Sequence, residues 1–156
     1  MNQKTTTAIV VSLVLISVVV AVISLIQLQN ILHGTEHKDE KGTRTITVYG
    51  NEYGYGLTPA QITSPGPTIT VKVGEKVTLR LINVGELPHT LAVVSERRFD
   101  ARALWGAEIG KPNIPIQPRG SASVTFIPDR PGTYYYVCTV PAHIELGMWG
   151  LFIVEG

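Results

Sequence analysis

The apolar positions of this chain change their period once, and that change divides it. Residues 8–26 (AIVVSLVLISVVVAVISLI) run without a charge, a proline or a glycine. As a helix such a run is long enough to cross the hydrocarbon core of a bilayer. Its β-branched residues would suit a strand, but strands of globular proteins are far shorter. The run therefore predicts one transmembrane helix over 8–26, extending to 32 at most. Residues 1–7 become a short polar N-terminus, and 27–43 (QLQNILHGTEHKDEKGT) a polar linker.

From residue 44 the period is two. Arg44 to Tyr49 alternates as a first strand, and 50–66 reads as a long Gly-, Tyr- and Pro-rich loop with one short strand. Thr68 to Val73 and Lys76 to Asn83 read as two strands across the Gly74-Glu75 turn. Ile69, Val71 and Val73, then Val77, Leu79 and Leu81, lie at alternate positions. Leu91 to Val94, Ser121 to Ile127, Thr133 to Cys138 and Gly150 to Val154 complete the strands. Residues 95–117 break the pattern, and Asp100 to Leu104 predicts a short helix there. Short strands with frequent Gly/Pro turns indicate an all-β sandwich or barrel over 44–156, long enough for a two-sheet core.

A cleavable signal peptide is the alternative to an anchor at 8–26. Signal peptides have a shorter apolar core and a small-x-small cleavage site, and residues 20–26 supply no clear one. Lys4 precedes the run; Lys38 and Lys41 follow it among acidic residues. Orientation rules count Lys and Arg, and here the flanks nearly tie. The short N-terminus favours N-inside with the β domain on the extracytoplasmic side of the cell membrane.

The formal net charge is +1 over 156 residues. With neither a basic stripe nor an acidic tail, nucleic-acid binding has no support. A single cysteine excludes an internal disulfide, so the thiol is more informative as a ligand. Cys138, His143 and Met148 share one loop between two strand-like runs, and His89 follows Pro88 on another. Each residue has an ordinary explanation by itself, a buried cysteine above all as a small hydrophobe. Together, a thiolate, two imidazoles and a weak thioether suit a trigonal His₂Cys copper site with an axial methionine. His33 and His37 are four apart in the linker and could share a metal on a helix, but Gly34 weakens that helix.

The Cys-x₄-His-x₄-Met loop with an upstream Pro-His resembles the cupredoxins, the blue-copper electron-transfer proteins. Pro67 to Asn83 looks like their early strand pair, Asn83 to Val94 like the segment carrying their first histidine, and Pro131 to Cys138 like the strand into the copper cysteine. The likeness spans about 44–156. The Cys-to-His loop is longer than that of plastocyanins, and with its N-terminal apolar run the chain looks most like the sulfocyanin and rusticyanin group. The resemblance implies a Greek-key sandwich with one type 1 copper. Its equatorial ligands would be His89, Cys138 and His143, with Met148 axial. Thr90 and Thr139 would lace the two ligand segments together, with Asn83 in support; as ordinary strand threonines they would pack and no more. Leu87, Pro88, Pro141, Ala142, Ile144 and Leu146 would form an apolar electron-transfer surface around His143.

Cu(II) with a thiolate keeps one net positive charge and Cu(I) none, so a dry site and a weak axial ligand both favour the reduced form. A high-potential centre of low solvent access is expected. No further histidine cluster supports catalysis. The resemblance thus implies a membrane-anchored, non-enzymatic carrier whose copper domain is monomeric. It would shuttle electrons between respiratory-chain partners such as a cytochrome and a terminal oxidase. A copper-delivery protein and a non-catalytic copper subunit of an oxidase are the alternatives.

Overall fold

The structure, a computed structural model, describes residues 43–156. The predicted anchor, the linker and its two histidines lie outside the described residues. From Arg44 onward the strands are β1 (Arg44–Asn51), β2 (Gly54–Gly56), β3 (Ile62–Thr63), β4 (Ile69–Lys72), β5 (Val77–Asn83), β6 (Leu91–Val94), β7 (Glu108–Ile109), β8 (Ser121–Phe126), β9 (Gly132–Val137) and β10 (Trp149–Glu155). They form two five-stranded sheets, β3-β2-β1-β5-β8 and β4-β10-β9-β6-β7. This is the expected all-β sandwich.

Alternation decides which side chains meet between the sheets. On β5, Val77, Leu79, Leu81 and Asn83 point inward and are buried. The parallel register with β1 sets Ile46 against Leu79 and Val48 against Leu81. On β9 and just beyond it, Tyr134, Tyr136 and Cys138 fall on the inner face and Tyr135 and Val137 on the outer one. On β10, Phe152 and Val154 point inward, with Met148 just before the strand on the same side. Each large aliphatic or aromatic side chain buried here stabilises the fold by about 1.5–3 kcal/mol. Period two thus carries a polar Asn83 and a thiol inward at the strand ends, where the site forms.

The two strands expected on either side of the Gly74-Glu75 turn are present and lie in opposite sheets: β4 pairs in parallel with β10, and β5 in parallel with β1. Two expectations need correction. The 50–66 segment holds two short strands, because β1 runs on to Asn51 and turns back into β2. Asp100 to Leu104 is not a helix. The Leu104 amide donates to the Val93 carbonyl at 2.8 Å and the Val93 amide to the Ala107 carbonyl at 2.9 Å. Those bonds commit the segment to the edge of β6 instead of to its own preceding turn. Ala101 and Ala103 then pack on Ala92 and Val94, so β6 is buried on both faces.

Candidate metal centre

His89 sits between the turn after β5 and the start of β6, and backbone bonds fix it on both sides. Its amide donates to the Ile116 carbonyl at 3.0 Å, and the Ile116 amide donates back to the His89 carbonyl at 2.8 Å. The turn before it is held by Asn83, whose Nδ2 donates to the carbonyls of Leu87 at 2.7 Å and Ile116 at 3.0 Å. Its Oδ1 accepts the Gly85 amide at 3.0 Å. The Glu86 amide donates to the Glu52 carboxylate from the other side. Ile116 and Glu52 escaped the sequence reading. Ile116 acts through its backbone, which any residue type provides.

The second ligand segment is the loop between β9 and β10. The Cys138 amide donates to the Met148 carbonyl at 3.0 Å, and the Met148 amide to the His143 carbonyl at 2.9 Å. The loop closes on itself through the His143 amide on the Val140 carbonyl, 3.2 Å, and the Gly147 amide on the Ile144 carbonyl, 2.9 Å. Ser64 Oγ lashes it to the β3 end of the first sheet by donating to the Leu146 carbonyl at 2.9 Å.

These two frames bring the donor atoms together. The candidate ligand atoms of His89, Cys138 and His143 all lie within 4.8 Å of one another. The two Nδ1 atoms are 3.3 Å apart, and Cys138 Sγ is 3.4 Å from His143 Nδ1. Cys138 is a free thiol, and His89, Cys138 and Met148 are fully buried. Met148 packs in the same core cluster as Cys138. His89 Nε2 is buried without a hydrogen-bond partner.

Thr90 joins the two segments. Its amide donates to Cys138 Sγ at 3.4 Å, and its hydroxyl lies 3.7 Å from the same sulfur. Thr90 Oγ1 and Thr139 Oγ1 are 2.8 Å apart, and the Thr139 amide donates to Thr90 Oγ1 at 2.6 Å. Both threonines are buried, so these contacts satisfy polar groups that would otherwise be orphaned. Asn83, Thr90 and Thr139 all hold ligand segments in place.

Of the apolar surface expected around His143, Leu87 (44% exposed) and Leu146 (52%) face solvent. Pro141 and Ala142 are exposed beside them and Pro88 is half-buried. Ile144 is the exception. It packs on Ala92, Val94 and Val137, on the outer face of the second sheet. Its side chain lies against that sheet, whereas Pro141, Ala142 and Leu146 are exposed.

Electrostatics keep the imidazoles neutral. Burial, then the neighbouring His143, pushes His89 down to about 4, with Glu52 pulling less strongly the other way. Burial lowers His143 as well. Neutral rings leave lone pairs free for a metal at neutral pH. Two imidazoles, one thiol and a nearby thioether, converged in a dry pocket, fit a single type 1 copper.

A two-sheet β sandwich that sets a cysteine and a histidine on one inter-strand loop, against a histidine from another, is a cupredoxin domain. The family described as multicopper oxidase matches residues 56–156, and the chain belongs to that family. A copper-containing nitrite reductase from Alcaligenes xylosoxydans xylosoxydans is 33% identical over 96 residues, 58% of this chain and 27% of that protein. The chain thus spans about a quarter of the length of that relative. Among solved structures, dithionite-reduced auracyanin from Roseiflexus castenholzii superposes with a TM-score of 0.56 at 23% identity, over 74% of this chain and all of that one. A rusticyanin structure gives 0.53 at 22%, over 73% of this chain and 79% of that one. At those identities the two likenesses bear on the fold alone.

Both histidines titrate lower in the folded than in the unfolded chain. Their stabilisation is whole above the unfolded value of 6.5 and fades below it, for His89 as pH falls toward about 4. For the copper-free protein, His89 alone should remove on the order of 3 kcal/mol across that window. Urea midpoints measured from pH 7 to pH 4 check this, and a flat profile would contradict it.

Proposed function

We propose that the protein is a one-electron carrier with a single type 1 copper, anchored in the cell membrane through residues 8–26, with its copper domain on the extracytoplasmic side. Its partners would be redox proteins of a respiratory chain, a cytochrome or a terminal oxidase. The observation that carries this reading is the convergence of His89 Nδ1, His143 Nδ1 and Cys138 Sγ inside a hydrogen-bonded frame. Bound there, copper supplies a Cu(II)/Cu(I) couple. The chain does the rest: backbone bonds at Ile116, Met148 and Val140 hold the ligand segments, and the buried side chains exclude water. A frame that keeps its shape in both oxidation states makes electron exchange fast and substrate chemistry unnecessary. The matched relative, a nitrite reductase that is copper-containing by name, supports a copper redox role.

Copper delivery is the competing reading. Exchange of Cu(I) is favoured by open clusters of methionine or cysteine. This chain has two methionines, one of them Met1, and one cysteine, and that cysteine is fully buried. The copper-loaded protein should show an intense visible thiolate-to-Cu(II) band and take up one electron per copper. A colourless Cu(II)-loaded protein would favour delivery instead. Cys138→Ser should lose the band while keeping the fold, since the core draws on both sheets. A blue Cys138→Ser protein would sink the site assignment.

Electrons are proposed to pass through His143, which is 9% exposed, with Leu87, Pro141, Ala142 and Leu146 exposed on the two loops that carry His89 and His143. Such a patch suits a small, short-lived contact. Leu146→Glu should slow transfer to a cytochrome by about tenfold while leaving spectrum and potential in place. An unchanged rate would move docking to the 95–104 segment. There, Arg97 lies over the Trp149 ring at 4.2 Å and Arg98 pairs with Asp100 at 2.8 Å. Docking on that segment would show strong salt dependence. The anchor has its own check: the full chain should stay in the membrane pellet after a carbonate wash. Soluble protein beginning near residue 25 would show that 8–26 is a cleaved signal.

A further inference from the structure

Beneath the ligand cluster, two tyrosines are built into the core in a way that ligation does not itself require. Tyr55 comes from β2 of the first sheet and Tyr136 from β9 of the second. Both are fully buried, with ring centroids 5.4 Å apart. Tyr136 donates its hydroxyl to the Pro67 carbonyl at 2.5 Å. Gly66 and Gly150 leave it room, since a Cβ on either would run into its ring or hydroxyl. Tyr136 is therefore a fixed wall. Tyr55, resting on that wall, reaches across the sandwich and donates its hydroxyl to the Thr90 carbonyl at 2.5 Å.

We propose that Tyr55 is a positioning residue for the Cys138 sulfur: by holding the Thr90 carbonyl it keeps the Thr90 amide and hydroxyl on Sγ, and so tunes the copper centre. This rests on the carrier reading given above. Thr90 is the residue whose two donors face the sulfur, and its carbonyl is bonded from the opposite sheet. Rotation of Thr90 away from Sγ must therefore break the Tyr55 bond. Hydrogen bonds to a thiolate withdraw charge from it and weaken its donation to Cu(II). Releasing them stabilises the oxidised state.

The experiment compares Tyr55→Phe with Tyr136→Phe in the full chain. In copper-loaded protein, Tyr55→Phe should shift the thiolate-to-Cu(II) band. It should also lower the equilibrium constant for reduction by about tenfold, or ~59 mV for a one-electron couple. Tyr136→Phe loses only the Pro67 bond and should lower Tm while leaving band and potential alone. In copper-free protein, exchange of the Thr90 amide hydrogen should be about tenfold faster in Tyr55→Phe than in Tyr136→Phe. That measurement needs no metal. If wild type lacks the blue band, the carrier reading falls while Thr90 exchange still decides the role of Tyr55. Wild-type exchange, band and potential in Tyr55→Phe would overturn the proposal. Should Tyr55→Phe fail to fold, fluorotyrosine at position 55, a stronger donor, should raise the potential, and no change would equally overturn it.

Discussion

Two chain segments separated by some fifty residues must present a sulfur and two imidazole nitrogens to one point, and the Thr90 contact is what makes that possible. Its amide meets the sulfur, its hydroxyl accepts the Thr139 amide, and its carbonyl accepts a phenol from the opposite sheet. All of these groups are buried, so each would be costly if left unpaired. In a medium of low dielectric such a network is strong when complete and weak when any member is lost. The geometry of the centre therefore depends on satisfying buried polar groups as much as on the ligands themselves.

The sheets supply the precision. Inner-face alternation on β5 ends in Asn83, and that of β9 continues one residue past the strand to Cys138. The strands thus deliver a turn-forming amide and a thiol to the same end of the sandwich without any special sequence. Segment 95–117, which interrupts the alternating pattern, has a definite task. It covers the outer face of β6 through Ala101 and Ala103 and then returns to pin His89 through Ile116. An excursion that looks dispensable in the sequence is one wall of the first-histidine site.

What the sequence made legible follows from what leaves a side-chain signal. Period-two alternation placed most strands, and the donor types on the 138–148 loop pointed to the cluster that the fold assembles. Sheet membership was not legible at Gly74-Glu75, because a tight turn joins paired strands and strands of opposite sheets alike. The short helix expected at 100–104 has reasonable local propensity. Amide bonds to β6 outweigh it, as tertiary partners commonly do. Ile116 contributes through its main chain and Tyr55 from a turn-rich stretch, so neither announced its role. Ile144 shares its neighbours' apolar character, and nothing in composition says which of them faces out.

The family to which the chain belongs, and the nitrite reductase it resembles over a quarter of that protein's length, show that this sandwich serves more than one setting. A fold does not fix a function; the site does. In the described residues, one cluster of His and Cys converges, nearly sealed from water, with only His143 reaching the surface at 9%. A buried centre can exchange electrons, because transfer needs a short path and a still frame, not an open coordination position. Leu87 and Leu146 are exposed on the loops that carry His89 and His143. The same burial keeps both imidazoles neutral.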